Sequence, residues 1–268
     1  MKGLLYFSIF VFALFLISCS QHDTNQQNDS AKDCIPSELQ QNVIAFYPFT
    51  EGDIKDYSGY DNDLNNPFML SSVSDRFGNS SSAIEFDNSD DSVRYLVDYN
   101  TDFLQDLQSL SISLWYYPEG TDRGSKDYEC LIQTGDGGNC PNHDQEWSMG
   151  LYDCRQATFK YHNAVWANAV TSEDVPEYCT NEIAELSNKW HHIVVVHSAN
   201  TNKLYFDGVL NDINESEGCC CHPDDSPLIE NMYIGQGFTG KIDDVIIFDK
   251  ELSDDDVTSL YEATSCKK

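Results

Sequence analysis

Residues 238–262 read FTGKIDDVIIFDKELSDDDVTSLYE, and they place a predicted strand directly before a predicted helix. The run of β-branched and aromatic residues at 242–248 is typical of a strand that is buried on both faces. Ser253, followed by three aspartates, predicts a helix that begins with Ser253 as its N-cap. Side chains alternate between the two faces of a strand, so we expect Asp243 and Asp244 to point in opposite directions. One of these carboxylates therefore faces inward and needs a partner.

The amino-terminal residues indicate export. Residues 4–17 form an apolar run behind Lys2, and small Ser18 precedes Cys19, which is the pattern of a secretory signal. The run is shorter than the roughly 20 apolar residues that cross a bilayer. Residues 16–19 (LISC) resemble the bacterial lipobox, and this resemblance implies cleavage before Cys19 and attachment of lipid to it. An ordinary secretory signal with an incidental cysteine is the alternative.

The organisation of the chain after the signal follows from its composition. Residues 21–33 contain a single apolar residue, which is typical of a disordered tether. We expect a signal peptide at 1–18, a tether at 19–38 and one folded domain at 39–266, a size that single all-β domains reach. Ser20, and not aspartate, follows the lipidated position, which resembles lipoproteins that pass to the outer membrane. The expected location is therefore the bacterial cell envelope.

The chain is strongly acidic, with 45 Asp and Glu against 15 Lys and Arg and a formal net charge of -30. Nucleic-acid binding requires clustered cations that neutralise phosphates, so we exclude nucleic acid as a partner. Anionic lipid surfaces repel such a chain, and we expect membrane contact through the lipid anchor alone. The excess of carboxylates agrees with solubility, with adaptation to salt or with binding of a hard cation such as calcium.

The chain has 10 cysteines. With Cys19 assigned to the lipid, nine remain, and disulfides are expected in an exported protein. Because nine is odd, one thiol stays free or pairs between chains. Cys34 and Cys266 flank the domain, and they can pair only if the two ends of the fold are neighbours. The sequence leaves open the pairing of the other seven: Cys130, Cys140, Cys154, Cys179, Cys219, Cys220 and Cys221.

From residue 43 onward the chain is a series of short apolar runs between turn residues. Residues 109–118 alternate serines with apolar and aromatic side chains, which is the period of a half-buried strand. Asp207-Gly208 between two apolar runs predicts a two-residue hairpin. No segment before Ser253 shows helical periodicity, and no internal repeat is present. The pattern predicts a single β-sandwich.

Five motifs, in order, resemble the laminin-G-like group of concanavalin A-like lectins and glucanases. They are AFYPFTEGDIKDYSGYDNDL (45–64), DRFGNSSSAIEFD (75–87), SLSISLWYYP (109–118), KWHHIVVVHS with KLYFDGVL (189–198 and 203–210), and GKIDDVIIFDKELSDDDVTSLY (240–261). The resemblance covers residues 40–264. It implies an all-β, concanavalin A-like jelly-roll sandwich of two antiparallel sheets with a short C-terminal helix. Its first and last strands are neighbours, which makes a Cys34–Cys266 bridge sterically reasonable.

Catalysis is the weaker functional interpretation. Glycoside hydrolysis needs two positioned carboxylates, and the sandwich glucanases resemble one another in a Glu-x-Asp-x-x-Glu strand that this chain lacks. The nearest stretch, 182–185 (EIAE), has no central aspartate. His191 and His192 should point to opposite faces of a strand, and we expect one of them to hydrogen-bond in or near the core. We therefore predict that the chain is not an enzyme.

Binding is the leading functional interpretation. Trp147 and Trp166 lie in the insertion-rich middle of the chain and are the candidates for stacking on a sugar ring, the alternative being burial under a disulfide-tied loop. Trp115 and Trp190 lie in core-like strands and are expected to pack. The expected protein is a secreted, lipid-anchored module that recognises a glycan or an extracellular protein. The alternatives are a structural component of an envelope assembly and, disfavoured by the missing carboxylate motif, a glycoside hydrolase of the same fold.

The acidic pair also suggests structural calcium. If the first and last strands are neighbours, the loop after the first strand brings Asp56 and Asn62 towards Asp243 and Asp244. Close carboxylates repel one another unless they are protonated or bound to a cation, and calcium accepts about six to eight oxygen ligands. Similar modules often carry such an ion. The alternative is that the inward aspartate caps backbone amides of the turn at 56–62 without a metal.

Overall fold

The computed structural model describes residues 32–88, 93–105, 107–120, 128–135, 147–152, 155–161, 167–168, 186–199, 201–215 and 231–263. The first of two antiparallel sheets has eight strands: β1 (Val43–Tyr47), β2 (Ser72–Val73), β3 (Ala83–Phe86), β5 (Ser109–Pro118), β10 (His191–Ser198), β11 (Thr201–Phe206), β12 (Val209–Glu215) and β14 (Gly240–Phe248). The second sheet has six strands: β4 (Leu96–Asp98), β6 (Glu129–Thr134), β7 (Trp147–Tyr152), β8 (Gln156–Tyr161), β9 (Ala167–Asn168) and β13 (Met232–Ile234). Helix α1 follows the last strand and spans Asp254–Glu262.

The two sheets form a sandwich. The eight-stranded sheet has the order β12-β11-β10-β5-β14-β3-β2, with β1 paired to β14, and the six-stranded sheet has the order β4-β13-β6-β7-β8-β9. Side chains from both sheets, such as Ile112 and Leu114 of β5 and Met149 of β7, meet in one main core. The predicted fold, an all-β sandwich of two antiparallel sheets with a short C-terminal helix, is confirmed. The predicted pairing of the first and last strands is also confirmed, since Val43 lies opposite Phe248.

The strand predicted to be buried on both faces contributes to two cores. Val245 and Ile247 of β14 belong to the main core, whereas Ile246 and Phe248 belong to a second cluster on the outer face of the eight-stranded sheet. Helix α1 and the amino-terminal segment cover this outer face with apolar side chains. The apolar residues of both faces explain why the strand reads as an uninterrupted apolar run after its two aspartates.

The packed part of the chain begins within the range predicted as tether. Ile35 is 2 % exposed and Leu39 is fully buried, and both belong to the second cluster. A 3-10 turn at Lys32–Cys34 precedes them. Residues 1–31, which carry the predicted signal peptide, the lipidation site Cys19 and most of the tether, lie outside the described residues and remain predictions.

Two local predictions are confirmed by the backbone. Asp207 and Gly208 have φ values of 48° and 78°, the left-handed pair that a tight two-residue hairpin requires between β11 and β12. At the start of α1, the Ser253 side chain accepts a hydrogen bond from the Asp256 N–H, and the Asp256 carboxylate accepts one from the Ser253 N–H. This capping box satisfies two N–H groups that the first helical turn leaves unpaired. No helix in the described segments has the length and apolar character needed to cross a membrane.

Candidate functional site

The acidic pair lies on a bulge in β14. The register between β14 and β5 shifts between Asp243 and Ile246, and Asp244 has a φ of 45°, in the left-handed region. The bulge breaks the alternation of side chains, so both carboxylates reach one guanidinium: Arg76 Nη1 lies 3.2 Å from Asp243 Oδ2 and 2.6 Å from Asp244 Oδ2. The prediction that the two aspartates point to opposite faces is therefore wrong, because it assumed a regular strand.

Aromatic rings hold the Arg76 side chain in place. Its guanidinium carbon lies 4.4 Å from the ring centroid of Trp115 and 4.5 Å from that of Phe77. Burial and the neighbouring Asp244 carboxylate raise the pKa of Asp243 well above its usual value, while Arg76 opposes the rise. Asp243 and Asp244 thus form a buried acidic pair, and the Arg76 guanidinium is a counter-ion to both.

Asp56 and Asn62 form a separate structure in the turn after β1. Asp56 accepts hydrogen bonds from the backbone N–H groups of Phe46 (2.9 Å), Ser58 (2.8 Å) and Asn62 (3.1 Å), and from the Ser58 hydroxyl. The Asn62 amide donates to the Ile44 carbonyl at 3.0 Å. The alternative to a metal was that the inward aspartate of the 243–244 pair accepts hydrogen bonds from backbone amides of this turn. The amides do donate to a carboxylate, but it is that of Asp56.

The predicted calcium ligands consequently do not fit a calcium ion in this arrangement. Asp243 and Asp244 face a guanidinium, and both oxygens of Asp56 already accept hydrogen bonds. Across the described residues, no group of three or more His, Cys, Asp or Glu side chains is arranged to hold a metal ion. Asn62 lies with Asp56 and apart from the Arg76 site. Calcium binding remains a prediction from the sequence, but the four residues named as its ligands are engaged in other contacts.

Trp147 is not a surface platform. Its side chain is 1 % exposed and lies in the main core, because it begins β7 on the inward face of the six-stranded sheet. The prediction that Trp147 stacks on a ligand is therefore wrong, and burial, weighed as its alternative, is what the structure shows. Trp166, the other predicted platform, lies outside the described residues, as does the 182–185 stretch.

Both histidines of the His191–His192 pair make buried hydrogen bonds, although the sequence led us to expect this of only one. His191 Nδ1 lies 2.9 Å from Asp207 Oδ2, and His192 Nε2 lies 2.9 Å from the Ser113 hydroxyl oxygen. Burial, assisted by the nearby Arg76 charge, lowers the pKa of His192 to about 3. His192 is therefore a neutral ring at physiological pH.

Two of the ten cysteines, Cys34 and Cys130, lie in the described residues. Cys34 is disulfide-bonded, and its predicted partner Cys266 lies outside the described residues. Cys130 is a free, buried thiol on β6, and burial raises its pKa well above the usual value. The thiol is therefore protonated and unreactive at physiological pH.

A surface that the sequence analysis did not identify lies on the outward face of the six-stranded sheet. Met232 and Ile234 point into the main core, so Tyr233 between them points outward. The Tyr233 ring packs edge-to-face on Tyr95 with centroids 5.0 Å apart, and Tyr95 packs in the same way on Phe68 at 4.9 Å. Strand β13 is only three residues long, so its alternation gives too short a pattern to be recognised in the sequence.

Polar side chains of the neighbouring strands lie beside the tyrosines, and the central one, Gln133, is only 7 % exposed. Gln133 lies opposite Tyr233, and Ser148 lies opposite Gln133. The Gln133 amide donates to Gln236 Oε1 at 2.6 Å, Ser148 donates to Gln133 Oε1 at 3.3 Å, and the Tyr128 hydroxyl bonds Ser148. We call this surface the tyrosine–glutamine face, with seven residues: Phe68, Tyr95, Tyr128, Gln133, Ser148, Tyr233 and Gln236.

The chain belongs to the concanavalin A-like lectin/glucanases superfamily, because the laminin G type model of that superfamily matches residues 87–258. This match covers more than half of the chain. The resemblance stated from the sequence motifs is thereby confirmed. A search of curated proteins finds no match.

Solved structures with the same fold include binding domains. The binding domain of botulinum neurotoxin serotype D matches with a TM-score of 0.63 at 16 % identity, over 84 % of this chain and 52 % of the other. A type C neurotoxin structure, titled for the dependence of cell entry on two ganglioside molecules, matches at 0.58 and 16 %, over 86 % and 53 %. Domain 4 of AbnA, a GH43 extracellular arabinanase from Geobacillus stearothermophilus, in complex with arabinotriose, matches at 0.57 and 16 %, over 82 % and 98 %. The chain thus spans about half of the neurotoxin structures and nearly all of the arabinanase domain.

Proposed function

We propose that the protein is a secreted, lipid-anchored and non-catalytic module that binds a glycan on the tyrosine–glutamine face. One observation carries this proposal. A row of aromatic rings in edge-to-face contact and a chain of hydrogen-bonded amides and hydroxyls lie side by side on the outward side of one sheet. The binding-domain and arabinotriose structures of the same fold are in agreement with it.

The chemistry of the face suits a sugar. An aromatic ring is apolar on its face and packs against the C–H groups of a pyranose or furanose, while a tyrosine hydroxyl stays available for hydrogen bonding. A glutamine amide both donates and accepts hydrogen bonds, as sugar hydroxyls do. Gln236 Oε1 accepts a hydrogen bond from the Gln133 amide at 2.6 Å. A few polar groups beside aromatic surface is the usual make-up of a small-molecule site.

Charge indicates which glycans are favoured. None of the seven residues of the face is charged, and the whole chain carries a formal net charge of -30. A polyanionic glycan would approach against the summed field of the protein, whereas a neutral glycan would not. We therefore expect neutral oligosaccharides to bind in preference to sulfated or uronic acid polymers.

The position of the face agrees with the proposed anchor. Residues 32–39 pack on the outer face of the eight-stranded sheet, and the tyrosine–glutamine face is on the outer side of the other sheet. The binding face is therefore on the opposite side of the sandwich from residues 32–39, through which a lipid at Cys19 would connect to the domain. This arrangement suits a module displayed on the bacterial cell envelope, for which the outer membrane is the proposed location.

The residues of the face do not support hydrolysis. Glycosidases flank the scissile bond with two carboxylates about 5–10 Å apart, and the seven residues include no aspartate or glutamate. Two buried acids on this sheet, Glu129 and Asp98, lie opposite the core residues Leu151 and Met232, on the inward side of the sheet. Binding without catalysis is accordingly the function that we propose.

A glycan array followed by titration of the best hits tests the proposal. We expect Tyr233→Ala to weaken binding by at least about tenfold, or ~1.4 kcal/mol, since aromatic anchors dominate such contacts. Tyr60→Ala is the matched control, because Tyr60 is 63 % exposed and lies in the turn after β1, away from the face. Unchanged binding by Tyr233→Ala would refute the site. Absence of glycan binding, with capture of a defined extracellular protein instead, would refute the ligand class.

A further inference from the structure

A small cavity lies beside the Arg76 guanidinium, between the eight-stranded sheet and helix α1. Its volume is about 20 Å³, and Ser113, Trp115, His192 and Asp244 line it together with Arg76. A water molecule needs roughly 10–15 Å³ of such space. The cavity thus has room for one water molecule.

Two buried polar atoms of the lining residues have no hydrogen-bond partner: Arg76 Nε and His192 Nδ1. The Arg76 side chain is 7 % exposed and His192 is 1 % exposed. An unpaired buried donor or acceptor costs on the order of 1–3 kcal/mol, so folded proteins rarely leave two such atoms adjacent to an empty space. The two residues with unpaired nitrogens, Arg76 and His192, both line the cavity.

The other contacts of both side chains fix the direction in which these atoms point. His192 Nε2 lies 2.9 Å from the Ser113 hydroxyl oxygen, and a flip of the ring would break that bond. Arg76 Nη1 binds both aspartates, and the guanidinium plane packs on Trp115. Neither side chain can turn to satisfy its remaining nitrogen without losing a contact already made.

We propose that this cavity is a binding site for one structural water molecule that bridges Arg76 Nε to His192 Nδ1. The water accepts a hydrogen bond from the Arg76 Nε–H. It donates to His192 Nδ1 when that nitrogen is unprotonated, and it accepts from Nδ1 in the other tautomer. The Asp244 carboxylate, which also lines the cavity, takes a remaining water hydrogen. Three partners is the usual number for a buried water.

Other occupants fit less well. A monatomic cation would face the Arg76 charge, and a chloride ion would lie against the Asp244 carboxylate. Water donates and accepts, so it matches a site that combines a donor, a carboxylate and a ring nitrogen of either tautomer. The bridging water links Arg76, the counter-ion of the acidic pair, to His192 on β10. His192 in turn bonds Ser113 on β5.

A crystal structure at a resolution that places ordered water tests the proposal. We expect a water peak about 2.7–3.2 Å from both Arg76 Nε and His192 Nδ1. An empty cavity, a direct Arg76–His192 contact or an anomalous peak after a bromide soak would overturn it.

A pair of matched variants gives a second test. His192→Phe keeps a planar ring, fills part of the cavity and removes Nδ1, so we expect the water to be lost. His197→Phe is the control, because His197 is a buried ring on the same strand whose Nδ1 bonds Asn202 at 2.7 Å outside this cavity. Water retained in the His192→Phe crystal would contradict the role of Nδ1. If His192→Phe does not fold, the wild-type crystal decides the question.

Discussion

Asp98 is a carboxylate that the fold buries without full compensation. It lies on β4 opposite Met232, is 2 % exposed and accepts one hydrogen bond, from the Asn100 N–H at 2.8 Å. Its second oxygen has no partner. Burial raises the pKa of Asp98 from 3.8 to about 6, with the Asn100 bond opposing the rise and Asp56 and Asp63 adding to it. The charged form therefore destabilises the folded protein at neutral pH.

The pKa shift sets the size and the pH window of this effect. About two pKa units at ~1.4 kcal/mol each give an upper bound near 3 kcal/mol, and the position of Asp98 on an edge strand of its sheet leads us to expect about 1–2 kcal/mol. Between the unfolded and folded pKa values the folded state binds more protons, so stability falls as pH rises from about 4 to about 6. The loss is complete above the folded pKa and absent below the unfolded one.

Replacement of Asp98 by asparagine tests this reasoning. The asparagine side chain keeps an oxygen for the Asn100 N–H and removes the charge, so we expect the Asp98→Asn variant to be more stable than wild type by about 1–2 kcal/mol at pH 8 and by almost nothing at pH 4. Urea denaturation across this range gives the difference directly. Asp61→Asn is the matched control, because Asp61 is exposed and should show no such window. A constant difference between pH 4 and pH 8, or a less stable variant at pH 8, would refute the assignment.

Two further predictions concern the acidic pair on β14. Arg76→Met removes the guanidinium that binds both buried carboxylates and should lower the unfolding free energy by about 3–5 kcal/mol, while Lys203→Met, which removes a more exposed ion pair with Glu251, should cost less than about 1 kcal/mol. Equal losses in urea denaturation would argue against the buried pair. Calcium binding, which stays a prediction, is checked by the melting temperature of the wild type: a rise with calcium would support it, and a melting curve unchanged by a chelator would refute it.

Local patterns in the sequence predict much of the fold. Strand β5 occupies the predicted residues 109–118, the hairpin turn is at Asp207-Gly208, and Ser253 caps α1. Each of these depends on side-chain period or on the conformation of one or two residues, and both are properties of a few consecutive positions. Such features survive in the folded protein because packing adds to them and does not oppose them.

The site residues were harder to predict, because their environment depends on distant segments. Trp147 starts a strand whose inward face is defined only by pairing with β6 and β8, and nothing at positions 146–148 distinguishes a buried tryptophan from an exposed one. Tyr233 lies on a three-residue strand, and its aromatic neighbours Tyr95 and Phe68 are more than a hundred residues away in the chain. The tyrosine–glutamine face therefore exists only after the six-stranded sheet has formed.

The acidic pair shows how charge balance constrains a site without identifying the cation. Two adjacent buried carboxylates require a positive partner, and this much follows from the sequence. The partner, Arg76, lies 167 positions before Asp243 and reaches it only because β3, next to the Arg76 segment, pairs with β14. The aromatic rings of Trp115 and Phe77 then favour a planar guanidinium, which stacks on such rings, over a calcium ion, which needs about six to eight oxygens. The same two rings pack on the guanidinium that both carboxylates bind, so the ring contacts and the ion pairs together position Arg76.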